Sequence, residues 1–239
     1  MVAFRRPIDP SCSGDLRMLV DLRVGQLLCS RLCHDLAGPI VAVNAGIELT
    51  GQEGAADAEC LSLIGASGAR LAKLLAFFRM AFGLQGGTEA GVALAEVRRL
   101  ACGLFDMGSI SLDWPEAQEP DAVDLNAPRP AGAMRLLLCL ILVAVDAVGR
   151  GGVLRVAISE REGGLHGVLA AEGRGAVLPP EVRMALTPDV KPEHLTARNV
   201  HAYMAARLAE ELGAQIRIDG DDAGLVRLDA RLPGPPPPA

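Results

Sequence analysis

Ten consecutive residues, Arg31-Leu32-Cys33-His34-Asp35-Leu36-Ala37-Gly38-Pro39-Ile40, carry the chemistry of this sequence. Cys33 and Leu36 fall on one apolar seam of a helix, so His34 projects sideways from it into water. A neutral imidazole is a nucleophile, and a free ring titrates near neutrality, so much of it stands ready at physiological pH. Such a ring can attack the acyl phosphate of a phospho-aspartate and later hand the group on. That transfer asks little covalent work of a protein beyond positioning and charge stabilisation. Asp35 can accept a hydrogen bond from one ring nitrogen and leave the other lone pair outward. Arg31, one turn earlier on the same face, is placed to draw phosphoryl oxygens. Pro39 lacks an amide proton and clashes with the carbonyl of residue 35, which predicts a kink one turn past the histidine. The other histidines, His166, His194 and His201, read as surface or packing residues. Cys29 and Cys33 sit on the seam and point away from His34, which argues against a metal site; no metal-ligand cluster is recognisable elsewhere.

A long helix must position these groups. From about Asp15 to Thr50, the residues Leu22, Gln26, Cys29, Cys33, Leu36, Ile40, Val43 and Ile47 recur at alternating gaps of 4 and 3, the seam of a helix packed in a bundle. Gly51 to Gly54 predict a turn. A second helix is expected from about Asp57 to Phe82, with Leu61, Ile64, Gly68, Leu71, Leu75, Phe78 and Phe82 in the same register. Two such helices form an antiparallel hairpin over residues 15–84. Leu27, Leu32, Leu63, Leu74 and Phe77 lie off the seam and need cover. Pairing two hairpins into a four-helix bundle, hence a homodimer, would supply it; packing on the rest of the same chain is the alternative.

Ala37, Gly38, Val41 and Ala45 follow His34 by 3, 4, 7 and 11 positions and line one outward stripe. It is small and apolar where a solvated face should be charged, and it is the expected docking surface for a partner.

Beyond a hinge near residues 84–88, the pattern turns to mixed helix and strand over residues 88–232. Helices are expected at Val92–Phe105, Ala133–Val148 and His194–Leu212, the last ended by Gly213. Strands are expected at Ser109–Trp114, Val153–Ser159, Leu165–Ala170, Ala214–Ile218 and Leu225–Leu232. The fold class is therefore α+β, a helical hairpin followed by an α/β sandwich with helices on one face of a mixed sheet. Residues 1–14 and 233–239 are expected to be disordered.

The net charge of −6 argues against a nucleic-acid binder. No apolar h-region follows the first arginines, and the longest apolar run, Leu136 to Val145, is ten residues; both point to a cytoplasmic protein. The six cysteines include no C-x-x-C pair and read as reduced.

His34-Asp35-Leu36-x-x-Pro39 resembles the H-E-L-x-x-P box on the phosphoacceptor helix of sensor histidine kinases. The wider string from Ser30 to Pro39, followed by Asn44-Ala45-Gly46-Ile47-Glu48-Leu49, resembles the alphaproteobacterial ChpT family of histidine phosphotransferases. The resemblance spans nearly the whole chain, and residues 88–232 resemble a kinase ATP-binding domain. In that domain Asp146 stands where an Mg²⁺-holding Asn is expected, and Ala171 replaces the Asp that reads adenine. No glycine occurs between Leu178 and Asn199 to let a lid reach the phosphates. The resemblance thus implies a phosphotransferase of a multistep phosphorelay that binds no cofactor and no ATP, its Mg²⁺ coming with the partner's receiver domain. His34 is the implied phosphoacceptor. The implied partners are the receiver of a CckA-like hybrid histidine kinase and then CtrA-like and CpdR-like response regulators. An active histidine kinase and a non-catalytic dimeric scaffold are the competing functions. The lost Asp and lid weigh against the first, the intact box against the second.

Overall fold

The structure is a computed structural model that describes residues 21–52, 58–83, 91–105, 109–116, 123–149, 151–161, 164–222 and 224–232. The expectations for both termini, the 84–88 hinge and most of the first turn lie outside the described residues.

Helix α1 (Leu22–Gln52) runs through the predicted stretch and two residues past Thr50, with Pro39 inside it. Helix α2 (Ala58–Phe82) packs back along α1. Gly46 allows their close approach: a Cβ there would lie 2.5 Å from Ile64 Cγ1.

The second domain opens with a short strand, β1 (Val92–Ala93), then α3 (Leu94–Phe105) and β2 (Ile110–Asp113). Val92 and Ala93, expected as helix, instead pair antiparallel with β3 (Pro128–Arg129). Next come α4 (Ala131–Val148), β4 (Gly152–Arg161), β5 (Gly164–Glu172), α5 (Pro180–Ala185), α6 (Val200–Leu212), β6 (Gln215–Asp222) and β7 (Leu225–Leu232). The five-stranded sheet has the order β2-β4-β5-β7-β6, with β2 and β4 parallel and the other neighbours antiparallel. Period-two burial follows: Val226, Leu228, Ala230 and Leu232 of β7 face the core with Leu154, Val156 and Ile158 of β4. Gly213 ends α6 at φ +65°, and the amide of Ala214 returns to the Ala209 carbonyl.

Helix α4 is the centre of the domain. Every residue from Leu136 to Ala144 is buried, as expected of a helix apolar on all sides. It lies between the sheet and α6, with α2 against it. By length and composition α2 and α4 are each apolar and long enough to cross a bilayer, longer than the ten-residue run suggested; α4 is mostly buried inside its own chain.

Two further sequence expectations change. Of the off-seam positions, Leu74 and Phe77 are buried and Leu27 and Leu32 half-buried in the core shared with the second domain, while Leu63 stays 45% exposed. The hairpin thus covers much of that stripe on its own chain, with α2 against α3 and α4 and α1 against α6. Seam residues Leu22, Ile40, Ile47, Leu61 and Leu75 are left open, each at least 44% exposed. The last helix also starts later than expected. Pro192–His194 form a 3₁₀ turn, Leu195 is extended and buried, and α6 begins at Val200. The cause is Asn199, fully buried. Its side-chain oxygen accepts from the Thr196 amide (2.7 Å) and its amide donates to the Glu181 carbonyl (3.2 Å). Those bonds hold residues 194–199 out of the helix.

Candidate functional site

The helical register of α1 sets the site. With Val24, Leu28, Leu32 and Leu36 turned toward the core, His34 stands outward with 88% of its side chain exposed. Its Nδ1 lies 3.1 Å from Asp35 Oδ1. A carboxylate can only accept, so Nδ1 carries the proton and the Nε2 lone pair faces solvent. That is the nucleophilic tautomer, held by a neighbour one residue away. Pro39, one turn on, returns no hydrogen bond to the carbonyl of residue 35.

Arg31 is placed differently from the sequence expectation. It is on the His34 side of the helix, but only 15% of its side chain is exposed. Its Nε donates to Asp35 Oδ2 (3.0 Å). Its Nη1 donates to the Arg198 carbonyl (3.2 Å) and to His201 Nδ1 (3.0 Å), and Nη2 lies 3.9 Å from Asp146 Oδ1. Each of the three guanidinium nitrogens thus has a protein partner, and the contact with Asp35 is the one nearest His34.

Two hollows flank His34. One, about 670 Å³, runs between α1, α2 and the start of β2, lined by Gly38, Pro39, Ala42, Arg70, Phe105 and Ser109 among others. The other, about 450 Å³, lies toward the 179–198 segment and is lined by Ser30, Asp146, Glu181 and Arg198. A second protein can therefore approach the ring from either side. Ala37, Gly38, Val41 and Ala45 are all exposed, Val41 at 65%, and a Cβ built on Gly38 would meet nothing within 4 Å.

The other histidines fall in three settings. His194 is exposed. His166 faces Asp229 across the β5–β7 pair at 2.8 Å. His201 is fully buried beside Arg31 and Asp146, more than the packing role assigned from sequence. Asp146, His201 and Asn199 are the residues that sequence reasoning missed or left idle. No local pattern links positions 31, 146 and 201.

In the second domain Ala171 is buried, its methyl in the core. Leu178, Val182 and Leu195 of the glycine-free segment are also buried, so that segment lies down on the domain. Among the described residues, no three His, Cys, Asp or Glu side chains gather to hold a metal.

The family model for the histidine phosphotransferase C-terminal domain matches residues 94–224. The protein phosphotransferase ChpT of Brucella abortus (strain 2308) is 31% identical over 197 residues, 82% of this chain and 90% of that protein. A solved bacterial phosphotransferase superposes with a TM-score of 0.73 at 30% identity, covering 89% of this chain and 98% of that one. With its C-terminal domain matched by the family model and most of its length matched by ChpT, the chain belongs to the histidine phosphotransferase family.

Proposed function

We propose that this phosphotransferase is the histidine intermediate of a multistep phosphorelay, with the phosphoryl group resting on His34. One observation carries the reading: a solvent-facing imidazole whose Nδ1 is tied to Asp35 and whose Nε2 is open to a partner. The Nε2 lone pair attacks the phosphorus of a receiver's aspartyl phosphate. The N–P bond forms as the P–O bond to the aspartyl carboxylate breaks, and the carboxylate departs as the leaving group; the receiver would supply the Mg²⁺ that neutralises it. The Nδ1 proton stays in its bond to Asp35, which offsets the positive charge the ring gains. Attack by a second receiver's aspartate on the same phosphorus reverses every bond change.

The donor is then the receiver of a CckA-like hybrid kinase, and the acceptors are CtrA-like and CpdR-like regulators. Ala37, Gly38, Val41 and Ala45 form the docking stripe beneath the ring. The buried methyl of Ala171 and the packed 178–199 segment support a domain that binds no ATP, and in this reading the chain holds no cofactor of its own. The open seam of Ile40, Ile47, Leu61 and Leu75 supports a homodimer through the hairpin, and the protein is cytoplasmic in this reading.

The test is incubation with a phosphorylated receiver domain beside a parallel incubation with ATP and Mg²⁺. The receiver should transfer acid-labile phosphate and ATP should transfer none. Labelling from ATP alone would make the protein a kinase.

A further inference from the structure

Helix α1 is strapped to the second domain by its two arginines. Arg23 donates from Nε to the Pro192 carbonyl (2.9 Å) and from Nη2 to the Leu195 carbonyl (3.3 Å). Two turns on, Arg31 reaches the Arg198 carbonyl and His201. An arginine–aspartate pair one turn apart on an open helix is weak and loose. The Arg31–Asp35 pair is neither open nor alone. Arginine cannot accept a hydrogen bond, so His201 Nδ1 must offer its lone pair to Nη1, which puts the His201 proton on Nε2. That nitrogen is fully buried and lies 3.0 Å from Asp146 Oδ2, outside hydrogen-bond geometry. The other Asp146 oxygen faces Arg31 at 3.9 Å. The chain of contacts therefore runs without interruption from Asp146 and His201, through Arg31 and Asp35, to Nδ1 of His34.

We propose that Asp146 and His201 are positioning residues for phosphoryl transfer. They fix the Arg31 guanidinium, Arg31 fixes the Asp35 carboxylate, and Asp35 keeps the proton of His34 on Nδ1 so that Nε2 is the nucleophile. The second domain then contributes to the chemistry on α1 without touching the phosphoryl group. This rests on His34 being the phosphoacceptor. It assigns Arg31 to orientation and not to charge neutralisation.

Asp146→Asn is nearly isosteric and, at 23% side-chain exposure, tolerable to the fold. Single-turnover transfer from a phosphorylated receiver should slow by roughly tenfold, as for loss of an outer partner that orients a reacting group. The receiver concentration for half-maximal rate should stay the same. Nitrogen chemical shifts of the His34 ring should move from the Nδ1–H tautomer toward a mixture. His201→Leu should act alike, and His201→Asn, which keeps an acceptor where Nδ1 sat, should recover most of the rate. In an Asp35→Asn background, Asp146→Asn should add nothing, because its effect passes through Asp35. The proposal is overturned if Asp146→Asn leaves rate and tautomer unchanged, if it lowers only the melting temperature, or if its effect adds fully to that of Asp35→Asn. Labelling of wild type that survives His34→Ala in the same assay would instead remove the phosphoacceptor reading, and the proposal with it.

Discussion

Around His34 the side chains differ in burial. His34 is open, Asp35 is a quarter exposed, and Arg31 is nearly covered. In the proposed relay that order runs from the group that meets a partner to the group that holds still. Val41, 65% exposed, is the largest side chain of the proposed docking stripe. Val41→Glu should leave the melting temperature within a degree or two, as for a surface site, and raise the receiver concentration needed for half-maximal transfer by about tenfold, the effect of one well-placed interface residue. An unchanged concentration dependence would place docking in one of the flanking hollows instead. The pairing of His34 with Asp35 was legible because it is local: ring, carboxylate and proline lie within six residues of one helix. The burial of Arg31 was not, because its partner His201 lies 170 positions away and nothing in the spacing of residues 28–40 reports what will pack there.

Elements were legible where their period repeats. The heptad seam gave α1 and α2, alternation gave β4, β5 and β7, and Gly213 marked the end of α6. The late start of α6 was hidden because it depends on Asn199 bonding to Glu181, a contact between separate segments. Which stripe of the hairpin faces its own domain was hidden too, since both stripes are apolar. Phe77 settles it: fully buried, it meets Phe78 edge-on at 5.9 Å within the core that joins α2 to the second domain. Phe77→Ala should cost about 3–5 kcal/mol, read by denaturant unfolding; a loss under 1 kcal/mol would mean that the two domains do not share a core. On the outer sheet face, burial pushes the Asp229 carboxyl up, but hydrogen bonds from Arg227 (2.7 Å) and His166 (2.8 Å) prevail and hold it below its ordinary value of 3.8. A carboxylate with a depressed folded-state pKa adds stability above its unfolded value, and the contribution is lost as pH falls through the folded one. Asp229→Asn should therefore melt below wild type at pH 7, with the gap closing below pH 3.8. A gap independent of pH would refute the ion pair as its source.

At the scale of the whole molecule, the hairpin has one face spent on its own second domain and one face open. Ile40, Ile47, Leu61 and Leu75 are each at least 44% exposed, an apolar face of the kind that marks an interaction surface. In the proposed homodimer a second copy covers them in a two-fold bundle, which would also set two copies of His34 on one particle. Sedimentation should show a dimer for the wild type and a monomer with unchanged circular dichroism for Ile47→Glu/Leu61→Glu; a monomeric wild type at micromolar concentration would contradict the bundle. The α+β class and the order of the two domains could be read from the chain because each obeys its own periodicity. The side-by-side packing of hairpin and sandwich could not, since it is fixed by contacts such as Arg23 to Pro192 and Arg31 to His201 that join distant parts of the sequence.

The central claim is that the phosphoryl group rests on His34, and mapping the phosphorylated residue tests it most directly. After incubation with a phosphorylated receiver, neutral-pH tandem mass spectrometry should place an acid-labile phosphate on the peptide containing His34 and on no other, and His34→Ala should fold, dimerise and carry none. Phosphate on His166, His194 or His201, or label retained by His34→Ala, would contradict it.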